Sequence, residues 1–194
     1  MFTQIKPGPV PPGPVEAASL AEALKAGDQS DPIDLLLSCH TRIRHFTAIA
    51  VKLTQPGAPA GEVRSAAGAV YRYYSQALPL HEADENESVY PRLKAALAGA
   101  GDEDPLAAAN QAMVDQHRTI DRTVASLLPK WQAAAADASA VSATAAEAGE
   151  LEDAWRDHLA LEERLIFPAL RDRLSVEDRR GIRLEMQARR QPQR

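Results

Sequence analysis

The sequence predicts an all-α fold: an up-down-up-down four-helix bundle made from one helical hairpin used twice, with a Pro-rich N-terminal arm and a short C-terminal helix. Three observations predict it. Apolar residues recur at helical spacing from residue 31 onward, and no alternating β-branched run suggests a strand. Two helix starts carry the same signal, Asp31-Pro32 and Asp104-Pro105, an N-cap followed by Pro at the first helical position. Four histidines share one offset: His40 and His117 lie 77 residues apart, as do His81 and His158.

Each element has its own warrant. Residues 7–14 read P-G-P-V-P-P-G-P, and five prolines in eight residues exclude helix and strand ladder alike. Residues 1–30 are therefore an extended arm, with a short helix at 15–26 ending at Gly27. The first bundle helix opens at Asp31-Pro32 and carries the stripe Leu36, Cys39, Ile43, Phe46, Ala50, Leu53, until Pro56, Gly57 and Pro59 stop it. The second runs from near Glu62 to Ala98, with kinks expected at Pro79 and Pro91 and an end at Gly99 and Gly101. The third opens at Asp104-Pro105 with the stripe Leu106, Met113, Ile120, Val124, Leu128, and Pro129 is expected to kink or end it. The Ala-rich stretch 133–148 reads as helix ends plus a turn. The fourth helix fits a capping box at Thr144 and Glu147 and continues to about Arg173, completing a bundle unit over 31–174. Ser175 and Asp178 form another capping-box pair, opening a short basic helix within 175–194.

Composition bounds the function. The chain has 194 residues, 45% hydrophobic and 25% charged, enough for one domain with a real core. No apolar run reaches membrane-spanning length, so no membrane span is expected. The N-terminus lacks an apolar core segment and so reads as no signal peptide. One Cys excludes an intramolecular disulfide and fits a cytoplasmic protein. A net charge of −5 argues against nucleic acid as a partner. The last 24 residues hold eight Arg against four acidic residues, which reads as a solvated amphipathic helix, an anionic partner being the alternative.

The chemistry lies in a repeated motif. His81-x-x-x-Glu85-x-x-x-Val89-Tyr90-Pro91-x-Leu93 matches His158-x-x-x-Glu162-x-x-x-Ile166-Phe167-Pro168-x-Leu170, and His40-x-x-Ile43 matches His117-x-x-Ile120. At roughly 100° per residue, His158 and Glu162 differ by roughly 40° and share a stripe with Leu151, Leu165 and Ala169. His117 is flanked by Met113, Ile120 and Val124, and His40 by Leu36 and Ile43; His81 and Glu85 share a face with Val70, Tyr74 and Leu78. A lone histidine on such a face is ordinarily a hydrogen-bonded core residue. A buried carboxylate is costly unless paired, and no Lys or Arg shares these stripes near the two glutamates. A metal cation is the economical counter-charge.

Four imidazoles and two carboxylates exceed the four ligands of a structural zinc. They suit two ions held close with carboxylates between them. Such mixed donors without thiolate fit iron, with Mn or Zn possible. Six ligands leave open positions for oxygen-derived bridges and an exogenous ligand.

Ferritin-like bundles use Glu-x-x-His with four carboxylates to two histidines. Here the ratio is inverted and the order reversed, and over roughly residues 31–172 the chain resembles the haemerythrin-like, or HHE cation-binding, family. The resemblance implies a four-helix bundle around a non-haem, oxo- or hydroxo-bridged di-iron centre. It implies the metal ligands His40, His81, Glu85, His117, His158 and Glu162, and O2 or NO as the small ligand. Oxygen-carrying haemerythrins have a further His on the third helix, where this chain has Asp121, which puts simple O2 carriage in question. Asp121 lies within reach of the site by helical phase, whereas His45 should point away.

Three function classes fit. The first is a di-iron protein that binds or reacts with O2 or NO. The second is a di-iron oxidoreductase that decomposes peroxide or oxidises a small substrate. The third is metal storage or a purely structural bundle. Iron–sulfur repair, known in some relatives, lacks the Cys-containing N-terminal domain that often accompanies it. The redox partner is not specified by the sequence. Tyr74 reads as a core phenol or as a group acting on the site, Trp155 as core, and Cys39 as a small buried hydrophobe.

Overall fold

The computed structural model describes residues 31–98 and 104–191. The Pro-rich arm, the helix expected at 15–26, and the Gly99 and Gly101 stop lie outside the described residues. The described chain is all-helical, a bundle of five helices with no strand among the described residues.

Helix α1 (Pro32–Leu53) is capped by the Asp31 side chain, which accepts from the Ile33 N–H at 3.0 Å. It is followed by a turn in which Gly57 takes φ 105°, a region open to glycine. Helix α2 (residues 60–96) is one rod with two wide, π-type turns, Tyr73–Ala77 and Asp84–Val89. Helix α3 (Pro105–Ala136) is capped by Asp104 in the manner of α1, at 2.9 Å. Helix α4 (residues 145–173) has a third wide turn at Glu162–Ile166. Helix α5 (Val176–Arg189) begins with the expected Ser175–Asp178 capping box.

Wide turns stand where proline was expected to disturb the helices. Each ends two residues before a proline, with one residue between: Leu78-Pro79, Tyr90-Pro91 and Phe167-Pro168. In each, that preceding residue donates its N–H five residues back, to Tyr73, Glu85 and Glu162 respectively. A proline ring in a regular helix collides with the carbonyl four residues earlier, and an added residue in the turn relieves this. Pro129 behaves differently, because α3 continues through it to Ala136.

Two further expectations are corrected. Thr144 and Glu147 form no capping box: the Thr144 hydroxyl donates to the Val141 carbonyl at the end of a 3-10 turn (Ala138–Thr144). Glu147 instead reaches across to Ser126 and Lys130 of α3. Leu165, expected in the apolar stripe, is 42% exposed, and Ile166 is buried in its place. The extra residue of the wide turn rotates the helix after Glu162, moving the buried face along by one position.

Helix α1 packs on α2 and α4, and α3 packs on the same two, while α5 lies against the Asp84–Val89 turn and α1. Two apolar clusters fill the interior. One holds Ile43, Phe46, Tyr74, Ile120, Trp131 and Trp155, and the other Leu36, Val89, Met113, Phe167, Ile182 and Met186. The histidines lie between them, because Leu36 and Ile43 flank His40 in different clusters, as Met113 and Ile120 flank His117. No described helix is long and apolar enough to cross a membrane.

Candidate metal centre

Four helices supply the site. His40 comes from α1, His81 and Glu85 from α2, His117 from α3, and His158 and Glu162 from α4. All six are at most 2% exposed. Both glutamates sit in wide turns, and both give their own carbonyl to the five-residue bond that closes them.

The side chains converge on one region. His81 Nε2 lies 3.2 Å from Glu85 Oε1, and His117 Nε2 lies 3.2 Å from Glu85 Oε2. His40 Nε2 is 3.1 Å from Glu162 Oε2 and 3.8 Å from Glu85 Oε1, and His158 Nε2 is 3.3 Å from Glu162 Oε1. The Nε2 atoms of His117 and His158 approach to 3.0 Å.

Apart from the His117–His158 contact, closeness here is not hydrogen bonding. Both oxygens of Glu85 and of Glu162, both nitrogens of His81, and His40 Nε2 are buried without a hydrogen-bond partner. Such atoms would cost the fold unless something else satisfied them. Donors about 2.1 Å from one ion stand roughly 3.0–3.4 Å from each other, as these do. Glu85, His117, His158 and Glu162 form one group able to hold a cation, and His40, His81 and Glu85 another. The residues present thus fit a metal centre.

Electrostatics without an ion are strained. Burial opposes protonation of His40, but Glu162 and Glu85 outweigh it and push the imidazole up to about 10. His117 follows the same pattern, raised to about 9 by Glu85 against burial. Burial holds His81 down at about 4 and His158 at about 3, the latter reinforced by His117. Burial would raise Glu85, but its histidine neighbours hold it well below the usual carboxylate range. Burial, and then Glu85, push Glu162 up to about 7. One cationic cluster would neutralise both carboxylates at once.

Three histidines are held from behind. His40 Nδ1 donates to Glu163 Oε1 at 2.8 Å, and Arg44 pairs with the same carboxylate. His117 Nδ1 donates to Asn86 Oδ1, and His158 Nδ1 to Gln116 Oε1, each at 3.1 Å. A proton placed on Nδ1 leaves the Nε2 lone pair free for a cation. Phe167 stacks on His40 with ring centres 5.0 Å apart, and Trp155 presents its ring at 5.4 Å from His158.

A family model described as the Hemerythrin HHE cation binding domain matches residues 31–170. The chain belongs to that family. The matched segment contains every residue of the cluster, so the haemerythrin domain of this chain is a cation-binding domain with its His/Glu set gathered inside. No curated protein gives a significant match to the chain.

Other sequence-flagged residues fall outside the cluster. His45 is exposed and packs edge-on against Phe46. Asp121 is exposed and acts on Glu82, whose carboxyl burial and then Asp121 push up to about 8. Tyr74 is buried, with its hydroxyl 2.6 Å from Thr47 Oγ1. Cys39 is buried and accepts from Arg42.

Sequence reasoning missed Asn86, Gln116 and Glu163. Two of them carried a signal, because Asn86 and Glu163 each directly follow the glutamate of a repeated motif.

Proposed function

We propose that this haemerythrin domain holds two non-haem iron ions and that it binds or reacts with O2 or NO there. One observation carries the reading. Glu85 and Glu162 each turn one oxygen toward the His40/His81 pair and the other toward the His117/His158 pair. A carboxylate divided in this way could be shared by two ions. The ligand set is His40, His81, Glu85, His117, His158 and Glu162. Nitrogen and oxygen donors without thiolate favour iron, with manganese or zinc as other occupants.

Bound iron would supply electrons and an open coordination position for a diatomic ligand. The chain's own residues do the rest. Glu163, Asn86 and Gln116 fix the imidazole tautomers. Leu36, Ile43, Leu78, Met113 and Ile120, all at most 1% exposed, exclude water and bulky polar substrates while admitting a small uncharged gas. The exchange of partners between helices supports a duplicated hairpin in up-down-up-down order over residues 31–174. Glu163 of α4 serves His40 of α1, and Asn86 of α2 serves His117 of α3.

The test begins with iron-replete expression and metal analysis. Two irons per chain are expected, retained in His45→Ala and lost from Glu85→Ala. Stopped-flow mixing of the reduced protein with O2 or NO should give a fast, stoichiometric optical change. A single tightly held zinc overturns the di-iron reading. Slow iron release favours storage, and turnover of many equivalents of peroxide favours the oxidoreductase.

A further inference from the structure

We propose that Arg190 and Arg189 of the C-terminal segment are positioning residues for the metal centre: they grip buried Asp84 and so hold the wide turn that carries Glu85. The proposal rests on the metal reading above. Its two arginines lie beyond the segment matched by the family model, which ends at residue 170.

The grip is detailed. Arg190 Nη2 donates to Asp84 Oδ2 at 2.6 Å, and Arg190 Nη1 to Asp84 Oδ1 at 3.1 Å. Arg189 Nη1 donates to Asp84 Oδ1 at 3.0 Å, and its Nη2 to Ser88 Oγ at 2.8 Å. Arg189 also pairs with Glu87. Arg92 ties the Ser88 carbonyl, at 2.9 Å, to Glu185 of α5. Three side chains of the Asp84–Val89 turn and one of its carbonyls are thus held by α5 directly or through Arg92. The helix is seated by Ile182 and Met186, both buried. The basic face read from sequence as solvated therefore has a buried anionic partner inside the chain itself.

Why such a device should serve the metal follows from Glu85. Both its oxygens face the histidines and have no hydrogen-bond partner, so the backbone beneath the side chain helps set where they point. That backbone is a wide turn, whose closing bond spans five residues instead of four, a local departure from the regular helix of the kind found at functional sites. The matched turn in α4 is fixed by another means, because Glu163 bonds His40 and Arg44 of α1. At the position matching Asp84, just before that turn, α4 has Leu161. An apolar residue therefore suffices for packing at this point in the repeat. A buried ion pair is also no more stabilising than well-packed apolar residues. What Asp84 and the arginines add is direction: planar guanidinium groups fix a carboxylate in orientation as well as place.

The experiment compares wild type with Arg190→Gln, Arg190→Lys and Asp84→Asn. Metal-free proteins are titrated with Co2+, followed by visible absorption. Hydrogen exchange is read for residues 84–90 and 162–168. Arg190→Gln and Asp84→Asn should weaken Co2+ binding about tenfold or more, change the absorption bands, and speed exchange in 84–90 but not in 162–168. Arg190→Lys should recover part of the affinity by restoring the charge without the fork. Wild-type affinity and bands in the variants overturn the proposal, as does exchange that rises equally in both turns, which is what a merely structural clamp would give. The wild type separates the two readings. A wild type that takes up no cation overturns the metal reading itself, whereas variants that load as well as a normally loading wild type overturn only the clamp.

Discussion

Glu162→Gln should stabilise the metal-free chain and weaken the loaded one. Glu162 is fully buried, both its oxygens lack hydrogen bonds, and burial together with Glu85 pushes its carboxyl from 4.5 to about 7. Each pKa unit is worth about 1.4 kcal/mol, so at pH 8 this group costs the metal-free fold about 3 kcal/mol. The sign follows from the proton. The unfolded chain releases it near pH 4.5 and the folded chain only near pH 7. The group's contribution to stability therefore falls as pH rises from about 4.5 to about 7, and stays low above. Gln has nearly the same shape and no charge to bury. The gain should approach about 3 kcal/mol at pH 8, less the loss of the His40 contact, and vanish near pH 4. In a chain of this size that is a rise in Tm of about 5–10 °C.

With cation present the order changes. A Gln amide turns one ligating oxygen and one NH2 toward the two histidine pairs, so one half-site loses a donor. A cation at 100 times its Kd stabilises by about 2.7 kcal/mol, and each tenfold loss of affinity removes about 1.4 kcal/mol of that. Calorimetry at pH 4 and pH 8, with chelator and with Co2+, measures all four cases. The reasoning is refuted if the variant is less stable than wild type in chelator at pH 8, or if Co2+ raises the Tm of both proteins equally.

Two further outcomes are expected. His40 and His117, held at about 10 and about 9 in the metal-free chain, carry protons at pH 7 that a cation must displace, so loading should release protons and tighten as pH rises from 7 to 9, by about tenfold per pH unit for each proton. Titration calorimetry in two buffers of different ionisation enthalpy reads the proton count, and a count of zero contradicts the scheme. Asn86→Leu and Gln116→Leu remove the acceptors behind His117 and His158, and each should weaken Co2+ binding by about tenfold or more while leaving the helical circular dichroism unchanged.

The bundle helices and the buried His/Glu pattern were legible in the residues alone. Asp31-Pro32 and Asp104-Pro105 announce their helices because the capping bond and the fixed proline φ are local events, complete within three residues. His81, Glu85, His158 and Glu162 stood out because a charge on an apolar stripe is visible from helical phase. The orientation of Leu165 was not legible, since phase arithmetic assumes a constant turn and the wide turn at Glu162 changes it. Glu147 was misassigned because a capping box competes with partners on another helix, and Ser126 and Lys130 won.

The sequence by itself therefore determined the buried face wherever a helix keeps a regular turn, the six clustered His and Glu residues among it, because burial on a regular helix follows from spacing. Only the tertiary structure decided what stands behind them. Glu163 on His40, Gln116 on His158, and Arg190 on Asp84 are pairings between helices 42 to 123 residues apart. Hydrogen bonds depend on distances of a few tenths of an ångström and on angle. Those are set by how whole helices pack, and no spacing within one helix encodes them.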